Sequence, residues 1–583
     1  MTGAPKADSS ERSRPPIDLL WLSERPVAPP VWPHGETLAA RPRAADLAAT
    51  ARALPTGDTR WLLLWSARLG PPPAAGSRGA WSEHTQRPVD VVHAGLRLGL
   101  AGLPRWDHAV RPAWMLTADP LDDREATSWR VGLEACLVRS ALWRATGGPD
   151  AGYRTLAAAG LALGRRWLAM GAVLRHDPGL LPADRVDEDL VELPPVDEAR
   201  FLRHTAGRRW AAFGVACAIV DRQATSATAW RAWSGSRDAP RASNEPFRRP
   251  RGARASAPPQ SPSAKDDPSV TVLVPTIDRY PYLEVLLDQL RRQTVPPVEI
   301  LVIDQTAADR RDRGMQGRFA DLPLRWTTLA AAGQCSSRNR GLQAARGEAI
   351  LFLDDDDEIE PDLIARHLNH LRRTGADASC GVAVEPGGGP LPPEFRRARI
   401  ADVLPTNNAM VRRAALERSG LFDLAFERGP RADHDLGTRL WRSGALLLLD
   451  PSISVLHHHA PRGGLRTHHA RVHTYAASRS RLTVRHLAAP TEIYLALRHH
   501  GRRRARQALR LRTLGTLAGR GSAPRRLLKA LVGLVQLPHT LATHRRRWRE
   551  AMAALDRFPQ IPQLAGRRPG DDRGDRSPAE DAR

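Results

Sequence analysis

The chain is poor in cysteine, acidic charge, aromatics and long apolar runs, and each shortage excludes something. Four cysteines (Cys136, Cys217, Cys335 and Cys380) are scattered through 583 residues without CxxC spacing. That excludes a structural zinc finger and a disulfide framework, and fits a reducing, cytoplasmic setting. No apolar run approaches the roughly 20 residues that a helix needs to cross a bilayer. Residues 1–16 lack the apolar core of a signal peptide, so the expected protein is soluble or peripheral to a membrane. Acidic residues number 63 against 87 lysines and arginines, giving a formal charge of +24 carried almost wholly by arginine. Such an excess implies affinity for a polyanion, whether nucleic acid, nucleotide or anionic lipid. Aromatics make up 5% and are not interleaved with the basic residues, as a stacking platform for nucleic acid requires.

What is present is length, with room for three or so folding units. Residues 1–16 read as disordered. From 17 to about 188 the pattern is α/β, with helical spacing over 41–54 leading into RWLLLW at 60–65, a buried strand. Residues 197–220 carry a helical apolar face of Phe201, Trp210, Phe213, Val215 and Ile219. Pro, Ser, Ala and Arg then take over up to 269. The expected organisation is an α/β domain over 17–225, a disordered Pro/Ser/Arg-rich linker over 226–269 and a second α/β domain over 270–470. A basic helical region over 471–564 and a disordered tail over 565–583 follow.

The second domain is built around GEAILFLDDDDEIEP at 347–361. A short apolar run bounded by turn signals reads as a strand buried on both faces of a parallel sheet. Ligands of open α/β sheets bind beyond the carboxyl ends of such strands, and here that end carries Asp354, Asp355, Asp356 and Asp357. Adjacent carboxylates repel and raise one another's pKa. A divalent cation, which takes one or two protein carboxylates and shares its shell with substrate phosphates, resolves the conflict. The alternative, a solvated acidic turn, needs no buried strand before it.

Around this stretch the chain supplies further candidates. VTVLVP at 270–275, a helix over 281–293 with Leu283, Leu286, Leu287 and Leu290 on one face, and EILVID at 299–304 read as a right-handed βαβ crossover. Asp304 therefore ends at the same crevice, either accepting a hydrogen bond from a nucleobase or ribose or closing an Asx turn before Thr306. Ser336 or Ser337 is placed to cap a helix whose first turn carries Arg338 and Arg340. Cations there oppose the helix dipole, which fits an arginine facing a phosphate or the aspartates, or one paired with a structural carboxylate. In RADHDLGTRL at 431–440, Asp433 lies at a helix start, as an ionised general base or as a plain N-cap. His457, His458 and His459 point in different directions, so one of them could join the aspartates at a metal; the alternative is a solvated turn.

Taken in order, VPTIDR, EILVIDQT, SSRNRGLQAARGEAILFLDDDDEIEP, TNNAMVRRAALERSGLFD, ADHDLGTRLWRSG and VLHHH resemble the inverting glycosyltransferases of family 2 over about 270–459. That family has the α/β GT-A fold, the Rossmann-like fold of nucleotide-diphospho-sugar transferases. The resemblance implies metal-dependent transfer of a sugar from a UDP-, dTDP- or GDP-sugar to a hydroxyl on a glycan or lipid-linked acceptor, in cell-envelope or surface-polysaccharide biosynthesis. It implies Thr276 and Asp304 at the nucleoside, with Arg338, Asp354 and Asp355 also on the nucleotide-sugar. Asp354 and Asp356 stand as the DxD pair, Asp356 binding the Mg2+ or Mn2+ that bridges the diphosphate, with His457 the candidate histidine ligand. Asp433 corresponds to the catalytic base of the ED-x-D motif. The Glu of that motif is Ala432 here, which puts the acceptor-side partner of the base in doubt. Because water could replace the acceptor, a closing loop is expected, and the Gly/Pro-rich residues 386–393 are the candidate.

The first domain repeats the second. VRSALWRATGGPD at 138–150 lies over VRRAALERSGLFD at 411–423, and the same spacing of 273 residues pairs Gly164 with Gly437 and Gly171 with Gly444. The chemistry does not repeat: Gly160 stands where the second copy has Asp433, and Trp65 and Ala67 where it has Asp354 and Asp356. Residues 17–188 therefore read as a truncated, degenerate, non-catalytic GT-A-like copy that positions an acceptor, dimerises or simply packs. In the basic C-terminal region, LLKALVGLVQL at 527–537 is too short to span a bilayer; it lies in an anionic membrane interface or in a solvated bundle. The competing readings are a nucleic-acid-binding protein, suggested by charge alone, and a scaffold with both copies inactive. Specific nucleic-acid binding is not expected, because the best candidate pocket is acidic.

Overall fold

The computed structural model describes residues 15–50, 59–73, 81–181, 191–242, 245–248, 267–460 and 475–565. The expected disordered tail, nearly all of the N-terminal stretch and much of the linker lie outside the described residues. Two mixed sheets form the frame. In the second, Ala349–Leu353 is buried along its whole length. It pairs parallel to Val270–Thr276 on one side and antiparallel to Asn408–Arg412 on the other. Val270–Thr276 pairs in turn with Glu299–Asp304, and Glu299–Asp304 with Leu324–Thr328, all parallel. Helix Tyr280–Arg291 crosses between the first two, with Leu283, Leu286, Leu287 and Leu290 buried against the sheet. Parallel strands joined by a crossover point their carboxyl ends the same way, so Thr276, Asp304 and Asp354 arrive at one edge. On the far side, Ala378–Val384 and the long strand Leu447–His457 complete the sheet and bring His457 opposite Asp357.

The first sheet runs Thr37–Ala40, Ile17–Leu22, Trp61–Ser66, Ala135–Arg139, Val91–His93, Leu174–His176, Ala126–Thr127. From its third strand onward it repeats the second sheet pairing for pairing. Thr127 lies opposite Arg175 as Ile400 lies opposite Leu448, 273 residues on. Helices Ser140–Thr146 and Arg413–Ser419 occupy matching positions at the same spacing. Upstream the registers correct the sequence reading by one residue. Trp61 pairs with Arg139 as Ala349 pairs with Arg412, which sets Ser66 and Arg68, not Trp65 and Ala67, at the places of Asp354 and Asp356. The upstream segments have no constant spacing to the rest, so only strand pairing fixes their alignment.

The two units meet across a pseudo-twofold interface. A Cβ on Gly171, at φ +87, would stand 2.7 Å from the carbonyl oxygen of Ala398, and one on Gly444, at φ +90, 2.6 Å from that of Glu125. Gly171 lies 273 positions before Gly444, and Glu125 the same distance before Ala398, so each unit offers the glycine of one contact and the carbonyl of the other, as at the isologous interface of a twofold dimer. Both glycines are needed twice over, for the left-handed backbone and for the close approach.

Elsewhere the sequence expectations shift. The helix expected over 197–220 is two, Pro195–Ala206 and Arg208–Val220, broken at Gly207 with φ 83. Trp210 is 46% exposed rather than in the core. Helix Ser226–Gly235 occupies the start of the expected linker. The helix of the second unit begins at Gln334 behind Gly333, leaving Ser336 and Ser337 inside its first turn. At the C-terminus, Pro490–Leu517 clamps both units. Tyr494 donates to Asp423 at 2.6 Å, His499 meets Asp435 at 2.8 Å, and Arg504 donates to the carbonyl of Thr117 at 2.9 Å. Gln507 and Arg510 both reach Asp221 at 2.7 Å.

Candidate active site

The buried strand delivers four aspartates beyond its carboxyl end, and each carboxylate has a different fate. Asp354 stays partly open and accepts from Arg338 Nη2 at 2.9 Å. Asp355 turns inward, accepting from Thr276 Oγ1 at 2.8 Å and Arg279 Nη1 at 2.9 Å. Asp356 is buried: one oxygen accepts from the Ala460 N–H at 2.7 Å, while Oδ1 lies 3.0 Å from Arg279 Nη1 without a well-directed hydrogen bond. Asp357 caps the turn through the Asp354 N–H at 2.8 Å and meets His457 Nδ1 at 2.8 Å.

Burial decides two of the aspartates. It pushes Asp355 up to about 7 against the pull of Arg279, and Asp357 upward against its bond to His457. For His457 burial works the other way, but the Asp357 hydrogen bond and the charges of Asp354, Asp357 and Asp356 outweigh it and raise the imidazole to about 9. The His457–Asp357 pair shares one proton at neutral pH. We place it on His457, whose Nδ1 faces several carboxylates.

Asp354, Asp356 and His457 offer ligand atoms that all lie within 4.8 Å of one another. The buried Oδ1 of Asp356, ion-paired with Arg279 but accepting no hydrogen bond, has lone pairs to offer a cation. Two carboxylates with one imidazole suit a hard to borderline divalent ion such as Mg2+ or Mn2+. The residues present therefore fit the metal.

Asp433 lies in the first turn of helix Ala432–Arg442, which is entered through Arg431 in the left-handed conformation, φ 87 and ψ 15. For a non-glycine residue this costs about 1–2 kcal/mol, and partners hold it there. Arg431 donates from Nε and Nη2 to Glu492 at 3.2 Å each. It also lies 3.0 Å from His434 Nε2, and His434 Nδ1 lies 3.1 Å from Asp433 Oδ1. Desolvation disfavours the Asp433 charge, but His434 and Arg431 outweigh it and hold the carboxyl down to about 2. Asp435, two residues on, is fully buried against Arg439 and His499 and is structural.

Arg338, Asp354, Asp433 and His457 line one cavity of about 630 Å³, closed on one side by Leu391, Pro392 and Phe395. The other expected residues sit behind it. Asp356 completes the cluster from below, and Thr276 and Asp355 are bonded to each other. Asp304 takes the Asx-turn alternative, accepting from the Thr306 N–H at 2.9 Å and from Tyr280 Oη at 2.8 Å. Two contributors escaped the sequence reading. Arg279, the last residue of VPTIDR, could have been found as a cation just past the first strand. Glu492 could not, since only the folded chain brings helix Pro490–Leu517 to Arg431.

Residues 271–427 match the model of the family described as Glycosyl transferase family 2. The match takes in Arg338 and the four aspartates and stops before Asp433 and His457. Relatives include two Bacillus subtilis proteins named as glycosyltransferases. EpsH is 32% identical over 126 residues, covering 21% of this chain and 35% of its own. EpsJ is 31% identical over 116 residues, covering 20% and 34%. The GalNAc(5)-diNAcBac-PP-undecaprenol beta-1,3-glucosyltransferase of Campylobacter jejuni is 32% identical over 95 residues, 16% of this chain and 31% of that one. The chain thus spans about a third of the length of the curated relatives it matches. Among solved structures, the mannosyltransferase PcManGT of Pyrobaculum calidifontis, in complex with GDP-Man and Mn2+, aligns at 22% identity over 52% of this chain and 90% of its own. The TM-score is 0.30, too low to bear on function.

Proposed function

We propose that this chain is a metal-dependent, inverting glycosyltransferase of the GT-A type. It moves a sugar from a UDP-, dTDP- or GDP-sugar to a hydroxyl of a glycan or lipid-linked acceptor in surface-glycan synthesis. The observation that carries the reading is one cavity lined by Asp354, Arg338 and His457 and also by the ionised Asp433, within and beside the stretch that matches family 2. Asp354, Asp356 and His457 would hold Mg2+ or Mn2+, which supplies charge neutralisation for the leaving diphosphate. Arg338, already turned to this end, adds a second cation for the phosphates.

Asp433 accepts the proton of the acceptor hydroxyl as its oxygen attacks the anomeric carbon. The bond from that carbon to the diphosphate oxygen breaks on the opposite face, so the configuration inverts, and the nucleoside diphosphate departs with the bonding pair. His434 and Arg431 orient the base, and Leu391 and Pro392, in the candidate closing segment, help exclude water.

The N-terminal unit is read as a non-catalytic copy. Its Gly160, at the place of Asp433, has no room for a side chain, since a Cβ would stand 2.3 Å from the Val131 carbonyl oxygen. Arg68, at the place of Asp356, is engaged with Glu134. Peripheral contact with an anionic membrane, at the inner face of the plasma membrane, is supported by helix Ala523–Val535. It buries Lys529, which donates to the carbonyls of Arg481, Leu482 and Val484 at 2.6–3.1 Å, and exposes Leu527, Leu528, Leu531, Leu534 and Val535. No helix among the described residues is long and apolar enough to cross a membrane. A nucleic-acid reading is weakened because Arg498, Arg504, Arg510 and Arg512 spend their charge on internal contacts. The test is Asp433→Asn: donor binding stays at the wild-type level and transfer to a glycan acceptor drops by about 10²-fold or more; retained transfer would remove Asp433 as the base.

A further inference from the structure

The cavity at Asp433 does not end there. A second, of about 510 Å³, shares Phe395, Val403, Arg431 and His434 with it. A third, of about 1110 Å³, shares Trp114, Glu394, Asp402 and Arg512 with the second. Linked by these shared walls, they make one cleft that adjoins the base at Arg431 and His434, is not lined by Asp354 beyond the first cavity, and runs between the N-terminal unit and helix Pro490–Leu517. An in-line displacement requires the acceptor hydroxyl to reach the base and to attack opposite the leaving diphosphate, and a cleft that adjoins the base can hold the rest of the acceptor.

The far cavity is built for negative charge. Five arginines face it against two carboxylates, Glu394 and Asp402. Several of these charges are already matched: Arg111 pairs with Asp107, Arg512 with Glu492, and Asp402 with Arg399 and the Trp114 indole. Arg165 is not. Its guanidinium lies over the Trp114 ring at 4.4 Å, its Nε is buried without a hydrogen-bond partner, and it pairs with no carboxylate among the described residues. The carboxylates that act on it, Asp107 and Asp402, are already committed to Arg111 and Arg399, and a part-buried guanidinium left so weakly matched is costly unless a ligand adds negative charge. Beside it stand the exposed Arg209 and the 46% exposed Trp210, whose ring meets Phe213 edge-on at 5.8 Å. A half-exposed tryptophan offers a sugar ring an apolar face with a polar edge.

We propose that this cleft is the acceptor site, and that it selects a sugar carrying a phosphate or diphosphate ester, read by Arg165 and Arg209 beside Trp114 and Trp210. The proposal rests on the transferase reading above and assigns the N-terminal unit a function: it supplies Trp114, Arg165, Arg209 and Trp210, as the second subunit of a dimer would. The phosphate is carried by a soluble sugar phosphate or by a lipid diphosphate. Leu514, 44% exposed, lines the same cavity on the helix whose Leu517 packs against Gly533 of the leucine-studded helix.

The experiment is calorimetric titration of the full chain, in EDTA so that the metal end is silent, with glucose 1-phosphate, geranyl diphosphate and uncharged glucose. The phosphorylated probes bind, glucose does not, and Arg209→Glu and Trp210→Ser each weaken binding at least tenfold. Both residues are exposed, so the fold is preserved, and Mn2+-dependent donor binding is unchanged in both variants. Tighter binding of geranyl diphosphate identifies a lipid-linked source; preference for glucose 1-phosphate identifies a soluble one. Absence of phosphate binding, equal binding of glucose, or full binding in both variants overturns the acceptor site. Donor binding that survives any of those outcomes leaves the transferase reading standing, whereas loss of donor binding in the wild type would sink that reading itself.

Discussion

At the scale of single residues, the acidic cluster depends on one cation that the sequence reading passed over. Arg279 touches both Asp355 and Asp356. Arg279→Met should destabilise the metal-free protein by about 3–5 kcal/mol, because it strands buried carboxylates. Added Mn2+ should restore more stability to this variant than to wild type, as thermal melts will read. His457 sets the pH dependence. Its pKa is raised from 6.5 to about 9, so its protonated pair contributes stability in full below about 6.5 and loses it as pH rises through about 9. Metal and proton compete for this imidazole. The acid limb of activity should therefore move to lower pH as Mn2+ is raised, and a limb indifferent to Mn2+ would exclude His457 as a ligand. Asp433, ionised down to about 2, contributes nothing to that limb. Asp354, Arg338, Asp433 and His457 were legible because a buried strand meeting a carboxylate run, and a helix starting on an aspartate, are local patterns. The choice of the Asx turn over a ligand contact at Asp304 and the inward turn of Asp355 were not, because hydrogen bonds to Tyr280 and Arg279 decide them.

At the scale of elements, the reciprocal glycine contact makes a symmetric prediction. Gly171→Ala and Gly444→Ala each force a side chain into the left-handed region, at about 1–2 kcal/mol, and onto a facing carbonyl. Each should cost about 2 kcal/mol or more in denaturant melts, and a neutral substitution at either would contradict the pseudo-twofold packing. The constant spacing of 273 residues was visible in the sequence wherever no insertion intervened. Upstream, where the offset differs, the alignment read from sequence missed by one residue at Ser66 and Arg68, because only strand pairing anchors it there. The break at Gly207 and the exposure of Trp210 were hidden for a related reason: an apolar helical stripe shows which face is buried only when the helix is continuous.

For the whole molecule, the large positive charge found in composition is spent in more than one way. Part of it holds the two units and the C-terminal helices together, and part faces the cleft beyond Asp433. A further share flanks the exposed leucines of Ala523–Val535. Replacing Leu527, Leu531 and Leu534 by serine should leave the melting temperature unchanged, because these side chains are exposed. It should lower co-sedimentation with phosphatidylglycerol vesicles by tenfold or more; undiminished binding would assign the membrane contact elsewhere. Composition announced the charge but not its destinations, since burial and pairing are properties of the folded chain. The most direct measurement is thermal stability across a panel of UDP-, dTDP- and GDP-sugars with and without Mn2+, in wild type and in Asp356→Ala. One donor class should stabilise the wild type only when Mn2+ is present, and that gain should vanish in Asp356→Ala. No stabilisation by any donor, or one that persists in Asp356→Ala, would contradict a metal-held diphosphate at this site.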